Sequence, residues 1–529
     1  MRRTKSPGGR AAATARCRGD QLAPRIEAHA TLAGAVRLSG AVSISCDTLI
    51  RNVTVVDGTG APSFAADVAL ADGRIAAIDT ARVPGESPRA AEIVDGTGKV
   101  LCPGFIDVHA HDDIKVIDAP ELLPKLSQGV TTVVVGNCGI SAAPVRVRPG
   151  AAPPDPMNLL GAASDFRYPR FADYVAAVQA ARPAVNVAAL VGHTALRANH
   201  LDRLDRAATD PEIDGMRAEL REALDAGALG LSTGLAYASA NSAPTAEVLA
   251  LAEPLAAAGA LYVTHLRTEF SGILDALDEA FRIGRQARVP VMVSHLKCAG
   301  VDNWGRSGEV LGALDRARAG QPLGQDCYPY AASSSTLDLK QVTDRIDILV
   351  TWSTPFPDMG GKRLADIAAA WGTTLVEAAR RLQPAGAVYH GMSPADVDRI
   401  LTHPETAIGS DGLPNDPRPH PRLWGTFPRV LGHFCRERGL LTLGEAVRKM
   451  TSLSAARFGL GGRGVVRAGH WADLVLFDPA TVRDTATFGD SIRAADGIEA
   501  VWVGGVLSYR GAGKEATGAR GGRFLRRGS

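Results

Sequence analysis

His109 and His111, in the run PGFIDVHAHDD, are separated by one residue. In an extended chain that spacing puts both imidazoles on one face, because side chains alternate with a period of two. Five more residues with related chemistry stand farther along: Cys138 in GNCG, His193 in VGH, His265 in THLR, His295 in SHLK and Asp411 in GSDG. Alone, each has an ordinary explanation: the cysteine as a small buried apolar residue, a histidine as a satisfied hydrogen-bonding group. Together they supply nitrogen and sulfur donors with one carboxylate, a set that suits zinc. Amide hydrolysis is the chemistry this permits. It needs a strong nucleophile made from water, charge stabilisation at the carbonyl oxygen and a proton for the departing amine. Zinc brings the pKa of water to about 7 and polarises the carbonyl. Asp411 then takes the water proton and passes it to the nitrogen, so neither a serine nor a cysteine nucleophile is required.

These residues are not scattered at random: each closes a short apolar run. Eight such runs follow one another: VLCPGFIDVHAH, TTVVVGNC, VNVAALVGH, ALGLSTGL, LYVTHLR, VPVMVSHLK, PLGQDCYPY and TAIGSDG. Amphipathic stretches such as FADYVAAVQAAR, PEIDGMRAELREALDAG and ILDALDEAFRIGRQA separate them, the pattern of repeated βα units around a parallel sheet. Eight units imply an α/β fold of the (β/α)8 TIM-barrel type, whose strands converge with their C-terminal ends on one mouth. The barrel is expected over residues 103–460, with an inserted subdomain at about 333–400, between strands 7 and 8, because that stretch is too long for a simple connection. A Pro-rich loop around Pro149–Pro156 follows the second strand. Alternating strands with DG and TG turns over 47–102, matched by others over 461–510, predict one small β-sandwich built from both chain ends. Residues 1–46 read as a disordered extension and 511–529 as a solvated basic tail.

The 529 residues suffice for a large barrel plus an accessory domain. Fifty-eight basic residues against 56 acidic leave a formal charge of +2, which points away from nucleic acid and from an anionic membrane and toward a small-molecule substrate. The seven cysteines form no CxxC pair, and no apolar run reaches the roughly 20 residues of a membrane helix. A reducing, cytoplasmic compartment is the expectation; the oligomeric state is unreadable.

PGFIDVHAHDD, GNCG, THLR, SHLK and GSDG together resemble the amidohydrolase superfamily. More narrowly, NCG, the STGL of residues 232–235, SHLK and SDGLPNDPRPHPRLWGTFPRVLG resemble the D-aminoacylases, which are N-acyl-D-amino-acid deacylases. The resemblance runs from residue 47 to about 510, and the D configuration of the substrate rests on it alone. It implies that Cys138, His265 and His295 hold one tightly bound Zn2+. His109 and His111, with Asp411, form a second, weak site, and Asp411 is the general acid/base. It further implies that Lys297, Tyr328 and Arg422 bind the substrate carboxylate, a task to which the arginine fork is suited. His193 matches a GH segment and is placed behind the ligands or facing the substrate; Arg267 is expected to pair with Glu269. Two other readings stay open: a cyclic amidase of hydantoinase or dihydroorotase type, and a non-catalytic barrel kept for binding or assembly.

Overall fold

The computed structural model describes residues 45–81, 89–146 and 150–529. Residues 1–44 of the expected extension, with Cys17, and Pro149 of the Pro-rich loop lie outside the described residues. Strands begin at once, with Ser45–Val55.

The barrel staves are short and wholly buried. VTTVVV of Val130–Val135 is typical: every residue is inside, as a parallel strand covered on both faces requires. Pairing runs in parallel from Phe105–Asp107 to Val130–Val135 to Asn186–Ala189. After Leu190 it resumes at Val191–Gly192 and continues through Gly230–Gly234, Leu261–His265, Val291–Val293, Leu323–Cys327 and Thr406–Ile408. A parallel bridge between Ala110 and Gly412 joins the last stave to the first. Leu190 interrupts one stave, so the eight expected runs become eight positions around a closed ring.

The intervening helices follow the sequence pattern. Asp210–Asp225 starts at a capping box in which the Thr209 backbone N–H donates to Glu212 at 2.8 Å. It buries Met216, Leu220, Ala223 and Leu224, the stripe that a 3.6-residue period dictates. Between the seventh and eighth staves, Ser333–Thr336, Ile348–Ser353 and Ala385–Tyr389 form an antiparallel sheet. Helices Leu364–Ala370 and Leu375–Leu382 pack with it around Ile367, Ala379, Leu382 and Ala387. Helix Pro394–Thr402 turns back to the barrel, where Ser307 donates to Asp396.

A nine-stranded sheet combines both ends of the chain: Val100–Pro103 pairs with Ser45–Val55 on one side and antiparallel with Leu474–Phe477 on the other. The expectation of a solvated tail needs correction. Leu525 N–H donates to Val187 O at 2.7 Å, Val187 N–H to Arg523 O at 2.9 Å, and Phe524 and Leu525 are buried. Arg526 and Arg527 donate to Ala226 O and Ala228 O, at 3.0 and 2.8 Å. Basic side chains are thereby spent on carbonyls just past the end of helix Asp210–Asp225, where cations are favoured. Counting charges could not reveal that two apolar residues anchor the segment.

Candidate metal centre

Five strand ends bring their donors to one point. Cys138 Sγ lies 3.2 Å from His109 Nε2 and 3.4 Å from His295 Nε2. Asp411 Oδ1 lies 3.1 Å from His111 Nε2 and 3.5 Å from His109 Nε2. The donors fall into two sets, each with all its atoms within 4.8 Å of one another: His109, His111, Cys138 and Asp411, and Cys138, His265 and His295. Cys138 belongs to both, so one sulfur stands between two potential cation positions.

What lies behind the imidazoles is as informative. His295 Nδ1 is 3.0 Å from Glu269 Oε1, and His109 Nδ1 is 3.3 Å from Asp326 Oδ1. Each ring thus turns one nitrogen to the sulfur and the other to a carboxylate, the arrangement that fixes tautomer and orientation in metal-binding histidines. The donor set therefore fits a zinc ion. The buried charges also answer each other. Burial opposes the Cys138 thiolate, yet the His109 and His295 rings hold the thiol well below its ordinary value. Burial likewise opposes the Asp411 carboxylate, and Arg422 and His109 outweigh it, so Asp411 stays ionised. His265 goes the other way, because burial dominates and lowers it.

Holding these groups strains the backbone. Cys138, His295 and Asp411 adopt φ of 53°, 33° and 50°, a left-handed region that costs non-glycine residues of order 1–3 kcal/mol each and persists only where the surroundings enforce it. Crowding between strand ends is enforced by glycine: a Cβ on Gly409 would lie 2.5 Å from His109 Cβ, and one on Gly234 would lie 2.1 Å from Cys138 O.

Beside the cluster, Tyr328 lies between two cations, with Arg422 Cζ 4.6 Å and Lys297 Nζ 5.8 Å from its ring centroid. Arg422 is fully buried, within 2.8 Å of Asp411 Oδ2, and donates to Ser334 O at 3.1 Å. Lys297 is buried as well, 2.5 Å from Glu269 Oε1 and 2.7 Å from His295 Nδ1.

Two readings change. His193 does not join the cluster: its Nε2 meets Glu247 Oε1 at 3.0 Å, deep beside Arg197. Arg267 pairs with Glu279 at 2.8 Å rather than with Glu269, which Lys297 engages instead. Ser232, in GLSTG, has the spacing of a serine-hydrolase elbow, but it lies inside a stave, donating to Gly136 O at 2.5 Å and accepting from Gly139 N–H at 3.1 Å. An elbow needs a strand-to-helix turn that exposes the hydroxyl. Two site residues had no sequence signal of their own: Glu269, and Tyr237, whose ring centroid is 4.9 Å from that of His265. No spacing rule ties a loop carboxylate or phenol to ligands on other strands.

The sequence pattern of the amidohydrolase family matches residues 92–509. The chain is 48% identical to the D-aminoacylase of Alcaligenes xylosoxydans xylosoxydans over 481 residues, 91% of this chain and 98% of that protein. It is also 48% identical to that organism's N-acyl-D-aspartate deacylase, over 89% of this chain and 93% of that one. Among solved structures, the Bordetella bronchiseptica N-acyl-D-glutamate deacylase, complexed with zinc and a phosphonate mimic of the tetrahedral intermediate, superposes with a TM-score of 0.86 at 46% identity, covering 91% of this chain and all of that one. Likeness of this extent, on a barrel whose strand ends gather this donor set, means that the chain belongs to the amidohydrolase family, on the branch of the D-aminoacylases.

Proposed function

We propose that this chain is a zinc-dependent hydrolase that cleaves the amide of N-acyl-D-amino acids, releasing a carboxylate and the free D-amino acid. One observation carries the reading: Cys138 Sγ stands within 3.4 Å of two imidazoles, with Asp411 and the Arg422–Tyr328–Lys297 group beside it. Cys138, His265 and His295 would hold the tightly bound ion; His109, His111 and Asp411 would hold the weaker one. When bound, zinc supplies Lewis acidity to the scissile carbonyl and acidifies the attacking water.

The chain's own groups do the rest. Asp411, ionised at the start, accepts the proton of the attacking water and delivers it to the departing nitrogen. Arg422 offers a guanidinium fork and Tyr328 a hydroxyl that, among the described residues, makes only a weak contact, with Met392 Sδ at 3.9 Å; both suit a carboxylate. Lys297 adds a point charge; it is shared with Glu269, as Arg422 is with Asp411.

Offering N-acyl D- and L-amino acids, hydantoin and dihydroorotate to the zinc-loaded protein tests the reading. Free D-amino acid is the expected product. Ring opening without deacylation would favour a cyclic amidase, and a protein that retains no zinc and gains no activity from it would favour a binding scaffold.

A further inference from the structure

Lys125 is fully buried, yet it is no part of the metal cluster or the clamp. Its ammonium lies 2.8 Å from Asp107 Oδ2, 3.0 Å from Asp112 Oδ2 and 3.0 Å from Ser410 Oγ. A lysine has three donors, and each has a partner here. Those partners are chain neighbours of the site residues: Asp107 is two before His109, Asp112 follows His111, and Ser410 precedes Asp411.

The network continues past Lys125. Asp107 Oδ1 accepts from Ser410 N–H at 2.8 Å and from His109 N–H at 3.2 Å, and Asp107 Oδ2 accepts from Ser410 Oγ at 2.6 Å. Gly412 N–H donates to Ser410 Oγ at 3.1 Å, and Asp411 N–H to His109 O at 2.7 Å. The first stave and the loop after the last are therefore stitched together on both sides of Asp411, the residue whose left-handed backbone needs enforcement. Asp107 and Asp112 are two buried carboxylates, and a buried pair of anions without a cation is strongly unfavourable.

We propose that Lys125 is a positioning residue of the hydrolytic site: by bridging Asp107, Asp112 and Ser410 it holds the His109–His111 strand end in register with the loop that presents Asp411. This rests on the deacylase reading above, and it concerns the proton-transfer half of the site rather than the Cys138–His265–His295 set.

The test uses the full chain with Lys125→Met and with the double variant Asp112→Asn/Lys125→Met, which restores the network's net charge of minus one. Deacylation kinetics, thermal midpoint and zinc content are measured together. The double variant is expected to regain a wild-type midpoint and to retain one tightly held zinc. Its kcat falls about tenfold to hundredfold, the usual effect of removing a group behind a metal site, while KM stays within about twofold. A folded, zinc-loaded double variant with wild-type kcat would overturn the proposal, as would a fall in kcat that only tracks the midpoint. Failure of the wild type to deacylate any N-acyl-D-amino acid would instead sink the deacylase reading, which separates the two outcomes.

Discussion

Asp411 answers to two masters, with one oxygen 3.1 Å from His111 and the other 2.8 Å from Arg422. Its task as proton carrier predicts that Asp411→Asn lowers kcat by about 10²–10⁴-fold while metal analysis still finds the zinc of the Cys138 set. Wild-type turnover would refute the role. Arg422 serves the substrate carboxylate, and a charge-assisted bond is worth about 1.5–3 kcal/mol. Arg422→Ala should therefore raise KM for an N-acyl-D-amino acid by about 10- to 100-fold, and Arg422→Lys, which keeps the charge but loses the fork, by less. An unchanged KM in the alanine variant would remove Arg422 from the clamp. Both residues were legible in the sequence, because they stand in one short, specific run. Glu269 was not, since its importance arises from its 3.0 Å approach to His295 and its 2.5 Å contact with Lys297.

At the level of elements, the buried trio His193, Arg197 and Glu247 joins helix His193–His200 to helix Thr245–Ala258. Arg197 also donates to Ser239 O at 3.1 Å, anchoring the segment that follows Tyr237. Burial works against the Glu247 carboxylate, but the His193 and Arg197 contacts prevail and bring its pKa down from 4.5 to about 2. A depressed carboxylate pKa contributes stability that is complete above the unfolded value and is lost as pH falls toward the folded one. At neutral pH this amounts to about 3 kcal/mol. Glu247→Gln should therefore be less stable than wild type at pH 7 by an amount of that order. The gap should close between about pH 4.5 and 2, followed by urea unfolding. A gap independent of pH would show that the charge is not what matters.

For the whole molecule, the C-terminal segment lies against the barrel instead of in solvent. Burying Phe524 and Leu525 is worth about 1.5–3 kcal/mol each, and carbonyl contacts from Arg526 and Arg527 add to it. Deleting residues 520–529 should lower the urea midpoint by an amount matching a loss of about 3–6 kcal/mol. The Cys138 cluster, at the C-terminal ends of the staves, should still bind zinc. A truncated chain with an unaltered midpoint would mean the segment is ornamental. Among the described residues no helix is long and apolar enough to cross a membrane.

Local pattern by itself determined the eight runs, the helices between them and the placement of His109, His111, Cys138, His265, His295 and Asp411 at run ends, because hydrophobic period and strand-end position are properties of neighbours along the chain. It also carried the family, through motifs whose residues are contiguous. Tertiary structure alone decided which carboxylate stands behind which imidazole and that His193 serves Glu247 rather than a metal. It likewise decided that Lys125 sits between residues 107, 112 and 410 and that the basic tail packs. These are contacts between groups distant in sequence. They are settled by close packing around the closed ring, and no spacing along the chain encodes them.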